Sequence, residues 1–298
     1  MSLVNPKTII EKAEEKECAV AAFNVYNMET IQAVVEGAVL EEAPVIIQTS
    51  PSTIKYAGLN FISANVKAAA KNADIPVALH LDHCKSYELV IKCLRNGYTS
   101  IMVDGADLEY NKNINLVKKS VEAAHAVDVI VEGEIGRIGL NRKKKVQKAV
   151  LTIPEEAQQF VKDTGIDILA IAIGTVHGQY AGEPNLDFDR LEEINNLIDI
   201  PLVLHGASGV DDTSLKKAIK LGIRKINFAT DLKVPMAQTI ENYFKENSDS
   251  NDPRDYLGAG KKAVIENVRK KLDCVKPVKY LKEVKLNNDP YNYIKSSS

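Results

Sequence analysis

Eight apolar runs, separated by stretches of helical periodicity, constrain this chain more than any other feature. They read "CAVAAFNVY" (18–26), "APVIIQTS" (43–50), "IPVALHLDH" (75–83), "TSIMVDG" (99–105), "VDVIVEGEIG" (127–136), "DILAIAIGTVHG" (167–178), "IPLVLHGASG" (200–209) and "IRKINFATD" (223–231). Each is continuous rather than alternating, the pattern of a strand covered on both faces. Between them, segments such as "METIQAVVEGAVLEE", "NFISANVKAAAKNA", "YELVIKCLRNG", "NINLVKKSVEAAHA", "PEEAQQFVKDTG", "LDFDRLEEINNLI" and "SLKKAIKLG" place apolar residues three and four apart. Several close on Gly or Asn, a helix-stop signal.

Eight strands alternating with helices predict an α/β fold of the (β/α)8 TIM-barrel type, which needs about 250 residues. A doubly wound open sheet is the rival. It calls for a Gly-rich phosphate turn after the first strand, and "FNVYNMET" is not one. The 298 residues fit a single barrel domain over 1–298. Within it, a C-terminal helical extension and tail covers 232–298, with helices near 234–246 and 257–272 and a frayed "SSS" end.

Charge and composition exclude several classes. Lys plus Arg (38) nearly balances Asp plus Glu (40), so nothing electrostatic favours nucleic acid or an anionic membrane as partner. No run reaches the ~18 apolar residues of a membrane span, and "MSLVNPKTIIEKAEEKE" lacks a secretory h-region. Cys18, Cys84, Cys93 and Cys274 form no C-x-x-C pair. A cytoplasmic protein with four free thiols is the expectation.

In a barrel of this type, chemistry gathers where side chains from several strands converge at their carboxyl ends. Read that way, the strands end in Asn24, in Thr49 and Ser50, in Asp82 and His83, in Asp104, in Glu132 and Glu134, in His177 and Gly178, in His205 and Gly206, and in Asn227 and Thr230. Three of the five histidines thus close strands three, six and seven. One strand-end histidine is ordinarily a hydrogen-bonded core group. Three on one mouth make a metal site with an open position, as catalytic zinc requires. His80, inside a strand, and His125, in a helix, read as structural. Glu132 and Glu134, two apart, point the same way. Glu134 suits either a metal position or a salt-bridged scaffold. Small residues follow two of the histidines. Gly178, Gly206 and Ser208 would let backbone N–H groups approach a phosphate, or would simply make tight turns.

"LDHC", "VEGEIG", "AIGTVHG", "LHGASG" and "KINFATD", in this order at the strand ends, resemble the class II, zinc-dependent ketose-bisphosphate aldolases over residues 5 to 275. The branch most similar in appearance holds the tagatose-1,6-bisphosphate and short fructose-1,6-bisphosphate aldolases. The resemblance implies reversible cleavage of a ketose 1,6-bisphosphate to dihydroxyacetone phosphate and glyceraldehyde 3-phosphate. His83, His177 and His205 match the Zn2+ ligands, and Asp82 the proton donor to the aldehyde oxygen. Asp104 and Glu134 match carboxylates near an alternative metal position. Gly178, the stretch Gly206, Ala207 and Ser208, and the stretch Asn227, Phe228, Ala229 and Thr230 match segments that hold dihydroxyacetone phosphate. Asn24 and Ser50 match positions near the substrate. Arg254, in "DPRD", resembles an arginine that reaches the far phosphate from a neighbouring subunit. A monovalent cation (Na+ or K+) beside the phosphate and a homodimer or homotetramer are also implied. The small Ala229 leans toward tagatose, since fructose-specific members tend to carry a polar or acidic residue there.

The chemistry agrees with that resemblance. Breaking a carbon–carbon bond beside a carbonyl leaves an enolate, stabilised by a Lewis-acid metal or by a lysine Schiff base. No lysine ends a strand here, and Lys225 reads as the start of strand eight, on the wrong face. One departure stands out. After strand five the family usually carries acids, whereas this chain has "GRIGLNRKKKVQK", with the basic run at 141–148. If a loop acid handles the proton at the enolate carbon, Glu132 or water must serve instead, or turnover is slow, or the reaction is a variant. The alternatives are a catalytically weakened sugar-phosphate-binding homologue, an aldolase with a variant substrate, and a metal-dependent hydrolase on the same fold.

Overall fold

The structure is a computed structural model that describes residues 3–142, 145–178, 180 and 182–275. In chain order the elements are α1 (Pro6–Glu15), β1 (Val20–Asn24), α2 (Met28–Leu40), β2 (Val45–Thr49), α3 (Pro51–Ala57), α4 (Leu59–Lys71), β3 (Val77–Cys84), α5 (Tyr87–Arg95) and β4 (Ser100–Val103). Then come α6 (Tyr110–His125), β5 (Ile130–Ile135), β6 (Gly139–Arg142), β7 (Lys145–Gln147), α7 (Pro154–Thr164), β8 (Ile168–Ile171), β9 (Val176–Gly178), α8 (Phe188–Leu197), β10 (Leu202–Leu204), α9 (Asp212–Lys220), β11 (Ile223–Phe228), α10 (Thr230–Glu246) and α11 (Pro253–Val275). Eight strands close into a parallel barrel in the order β1-β11-β10-β8-β5-β4-β3-β2. This is the expected (β/α)8 barrel with a C-terminal helical extension. The part of that extension assigned to 276–298 lies outside the described residues.

The pleat sorts side chains between two cores. Ala21, Phe23, Ile47, Leu79, Val131, Leu169, Leu204, Ile226 and Phe228 face the helices and build the main apolar cluster. Val20, Ala22, Ile46, Ala78, Met102, Ile130, Ile168 and Val203 face inward and fill the lower barrel. Helix α1 closes that end, burying Ile9, Ile10 and Ala13 against them. Asn5 caps this helix by accepting from the Lys7 N–H, and Pro6 opens its first turn.

Three elements depart from the sequence reading. The sixth apolar run is not one strand. β8 stops at Ile171, and β9 lies outside the barrel, in a three-stranded sheet of order β7-β6-β9. Gly174 turns the chain between them with φ +110°, and a Cβ there would collide with the Asn185 carbonyl. So His177 does not end a barrel strand; it pairs with Leu140 across the β6–β9 ladder. The basic run, expected as a loop, forms the β6–β7 hairpin, with residues 143 and 144 outside the described residues. The helix expected from about 234 starts earlier, at Thr230, and carries Pro235 inside it. Among the described residues no helix is long and apolar enough to cross a membrane, and the four cysteines are free and buried.

Candidate active site

The mouth of the barrel begins with an irregularity in β3. Leu81 pairs with Ile101 and Cys84 with Val103, so the register slips by one residue at Asp82–His83. Such a bulge re-aims side chains and is common beside active sites. His83 sits at φ +50°, a left-handed conformation that costs a branched or bulky residue about 1–3 kcal/mol. Together these let two consecutive side chains reach the same mouth, which a regular strand would send to opposite faces.

His83 then meets His205 and His177. Ring centroids lie 4.7 Å apart for His83–His205, 4.8 Å for His83–His177 and 6.0 Å for His177–His205. One nitrogen from each ring falls within 4.8 Å of the others. His83 Nε2 faces His205 Nδ1 at 3.0 Å, close to the ~3.3 Å edge of a tetrahedron built on Zn–N bonds of about 2.0–2.1 Å. On His205 and His83 the remaining nitrogen is engaged. His205 Nε2 is 2.6 Å from Glu132 Oε1, and His83 Nδ1 is 3.1 Å from Asp104 Oδ2. This is the carboxylate–histidine arrangement that fixes a ligating tautomer.

A second group shares His83. Asp104 and Glu134 bring carboxylate oxygens to its other side, with Glu134 Oε2 at 3.6 Å from Nδ1. Burial works to lower the His83 imidazolium, but Asp82, Asp104 and Glu134 outweigh it and raise the ring to about 10. Burial, with Asp104 beside it, pushes the Glu134 carboxyl up to about 8. Asp104 goes the other way, to about 2, since its contacts with His83 and Lys85 overcome its own burial. A field that holds a proton on an imidazole among three carboxylates would equally favour a bound cation. Asp82 Oδ1 and Glu134 Oε2 are buried without a hydrogen-bond partner, as suits groups built to face a ligand. The donor set therefore fits a divalent metal.

Asp82 lies beside this cluster. Asn24 Nδ2 donates to its Oδ2 at 2.8 Å, and Gln48 Nε2 donates to Asn24 Oδ1 at 2.8 Å. Burial alone would raise this carboxyl; His83 and the Asn24 hydrogen bond outweigh burial and hold it below the ordinary carboxylate range.

On the opposite side the chain prepares an anion seat. The backbone N–H groups of Ala229, Thr230 and Asp231 converge on Ser208 Oγ at 3.2, 3.1 and 3.4 Å. They are amides at the start of α10 with no partner within the helix, where the helix favours negative charge. Gly206, at φ +65°, passes so near β9 that a Cβ would lie 2.6 Å from the Val176 carbonyl oxygen. Gly178 stands on β9 at φ +108°.

Not every expected residue projects a side chain here. Phe228 stacks outward on Phe23 at 5.5 Å, and Ala207 is buried in the outer core. For both, only the backbone is on the mouth side. Ser50 caps α3, its Oγ accepting from the Thr53 N–H at 3.3 Å. Arg254 is exposed, and its Nε donates to Asp252 at 3.0 Å; within one chain nothing ties it to the histidines. His80, read as structural, has its Nδ1 2.8 Å from Ser100 Oγ inside the barrel. His125, read the same way, has its Nε2 2.8 Å from Asp167.

Two residues, Tyr180 and Gln48, escaped the sequence reading, and a third, Lys225, was misplaced by it. Tyr180 ties the segments together, its hydroxyl donating to the Gly206 carbonyl at 2.9 Å and accepting from the Val176 N–H at 3.1 Å. Lys225 does not point away from the site. It faces the barrel interior, its Nζ donating to Glu132 Oε2 and to Asn227 Oδ1, both at 2.8 Å. Because Lys225 is held by Glu132 and Asn227 and is 1% exposed, it is not a free amine for Schiff-base chemistry. Glu132 is also removed as a stand-in proton carrier, since His205 and Lys225 occupy both its oxygens.

Known proteins share this architecture. The crystal structure of the YdjI aldolase from Escherichia coli K12 superposes with a TM-score of 0.80 at 32% identity, covering 92% of this chain and 98% of that one. A putative fructose-1,6-bisphosphate aldolase from Coccidioides immitis gives 0.83 at 30% identity, covering 91% and 96%. A fructose-bisphosphate aldolase from Campylobacter jejuni shares the fold, with a TM-score of 0.77 at 21% identity, covering 92% and 95%. The family model described as fructose-bisphosphate aldolase class-II matches residues 4–278. With a barrel whose mouth gathers imidazoles, carboxylates and a helix N-terminus, this chain belongs to the class II fructose-bisphosphate aldolase family.

Proposed function

We propose that this aldolase is zinc-dependent and reversibly cleaves a ketose 1,6-bisphosphate, with tagatose 1,6-bisphosphate preferred over its fructose epimer, to dihydroxyacetone phosphate and glyceraldehyde 3-phosphate. The observation that carries the reading is the meeting of His83, His177 and His205 beside the amides at the start of α10. These three residues would hold the zinc, with Asp104 and Glu134 offering an alternative position. When bound, the metal supplies Lewis-acid stabilisation of negative charge on the substrate carbonyl oxygen.

The chain's own groups do the rest. One phosphate docks on the amides of residues 229–231, near Ser208 and the backbone of Gly178, Gly206 and Ala207, with Na+ or K+ as a counter-cation. Asn24, Asn227 and Ser50 border the sugar. In cleavage the C4 hydroxyl gives its proton to the Asp82 carboxylate as the C3–C4 bond breaks and its electron pair moves toward the C2 oxygen. The enolate then takes a proton at C3 from water, since both Glu132 oxygens are already engaged. Asp82, held ionised by its surroundings, is matched to accept first and to return the proton in condensation. Ala229 favours the tagatose epimer by leaving the pocket without a polar side chain at that point.

Assembly as a homodimer or homotetramer is part of this reading. Met28, Val39, Leu40, Tyr56 and Phe61, on α2, α3 and α4, are large apolar side chains left exposed. Arg254 would serve the far phosphate of a neighbouring subunit's substrate. The test is side-by-side kinetics on both epimers after zinc reconstitution and after chelation. Cleavage that survives thorough metal removal would refute the zinc mechanism, and a faster fructose reaction would refute the preference. A variant ketose phosphate is the second reading, favoured by the basic run at 141–148. It would show as higher kcat/KM on another phosphorylated ketose.

A further inference from the structure

A lysine buried at the centre of the barrel is not used by the chemistry above. Lys225 is 1% exposed, Glu132 is 0% and His205 is 1%. Burying an ammonium and a carboxylate is costly unless every polar atom is satisfied. Here the satisfaction has a direction. Lys225 Nζ has only hydrogens to offer, and it donates to Glu132 Oε2 and Asn227 Oδ1. The first bond leaves Glu132 Oε1 facing His205 Nε2 at 2.6 Å. The second turns the Asn227 amide so that its Nδ2 faces the same ring, 3.2 Å from each nitrogen. A carboxylate only accepts, so His205 must carry its proton on Nε2. That leaves the Nδ1 lone pair pointing at His83 Nε2, 3.0 Å away.

We propose that Lys225 is a positioning residue of the metal site, setting the tautomer and the orientation of His205 through Glu132 and Asn227. The inference rests on the reading of His205 as a zinc ligand. It assigns Lys225 no contact with substrate and no covalent step.

The chain of donors makes a prediction that a purely structural lysine would not. In Glu132→Gln, Lys225 still claims the side-chain oxygen, so the new amide N–H group is turned toward His205 Nε2. The ring must then move its proton to Nδ1, where it blocks the ligand position. Replacing Lys225 as well frees the glutamine to rotate and accept from Nε2–H. Lys225→Met should therefore weaken zinc binding in the otherwise native protein, by about 10- to 100-fold, yet strengthen it in the Glu132→Gln background.

Zinc affinity is measured by chelator competition on the purified proteins, with the visible spectrum of the Co2+ form reporting ligand geometry. His205→Ala is included. Opposite signs in the two backgrounds support the proposal. If Lys225→Met fails to fold alone, Glu132→Gln compared with Glu132→Gln/Lys225→Met, which removes both charges of the buried pair, still carries the test: higher affinity in the double variant supports the inference, and equal or lower affinity overturns it. Should His205→Ala itself bind zinc as the native protein does, with the same Co2+ spectrum, the ligand assignment has failed and the inference falls with it. Loss of zinc in His205→Ala without the sign change refutes the role of Lys225 alone.

Discussion

The lower and upper halves of the barrel interior use the same strands and the same pleat but opposite chemistry. Moving up one inward-facing position, Ala22 gives way to Asn24, Ile46 to Gln48, Ala78 to His80, Ile130 to Glu132 and Val203 to His205. Below, apolar side chains pack with those of α1 and need no partners. Above, each polar group is oriented by another, from Gln48 through Asn24 to Asp82, and from Lys225 through Glu132 to His205. The lower half supplies rigidity through burial, and the upper half spends that rigidity on aim.

The contrast can be broken most severely at the upper end. Replacing His83, His177 or His205 by Ala should remove zinc and abolish cleavage while the barrel stays folded, checked by metal analysis, triose-phosphate release and circular dichroism. Asp82→Ala comes next. It should retain zinc and lose about 10²- to 10⁴-fold in kcat; cleavage at the native rate would rule out its proton-carrying role. Ser208→Ala should raise KM about 10- to 100-fold, the scale of a hydrogen bond to a charged group, with zinc content unchanged. The lower half sharpens the comparison by its silence. Ile46→Ala should cost about 2–5 kcal/mol of stability in denaturant unfolding and leave the KM and zinc stoichiometry of the folded protein as they were.

How much of this was legible in the sequence follows from the same division. Buried strands announce themselves by composition, so eight runs were enough for the barrel. Polar residues closing such runs are conspicuous, which is why Asp82, His83, His205 and Asn227 could be named. A strand apolar on both faces, however, carries no alternation from which to read its pleat. Nothing in "IRKINFATD" says that Lys225 faces inward. Nor does hydrophobicity distinguish β8 from β9, because "DILAIAIGTVHG" has no polar break; only the backbone at Gly174 divides it. The slip at Asp82–His83 is a matter of register, which depends on β4 as much as on β3. The α1 plug was within reach, since Asn5 and Pro6 form a standard helix start.

His177 is the imidazole whose backbone belongs to the small outer sheet rather than to the barrel wall, through its ladder to Leu140. A cation gripped by all three rings would fasten that sheet to the cylinder the way a rivet joins two plates. Substitutions that shift the hairpin would then change how long the ion stays without altering a single residue of the cylinder, and the hairpin becomes a place where relatives sharing one scaffold can diverge in metal retention.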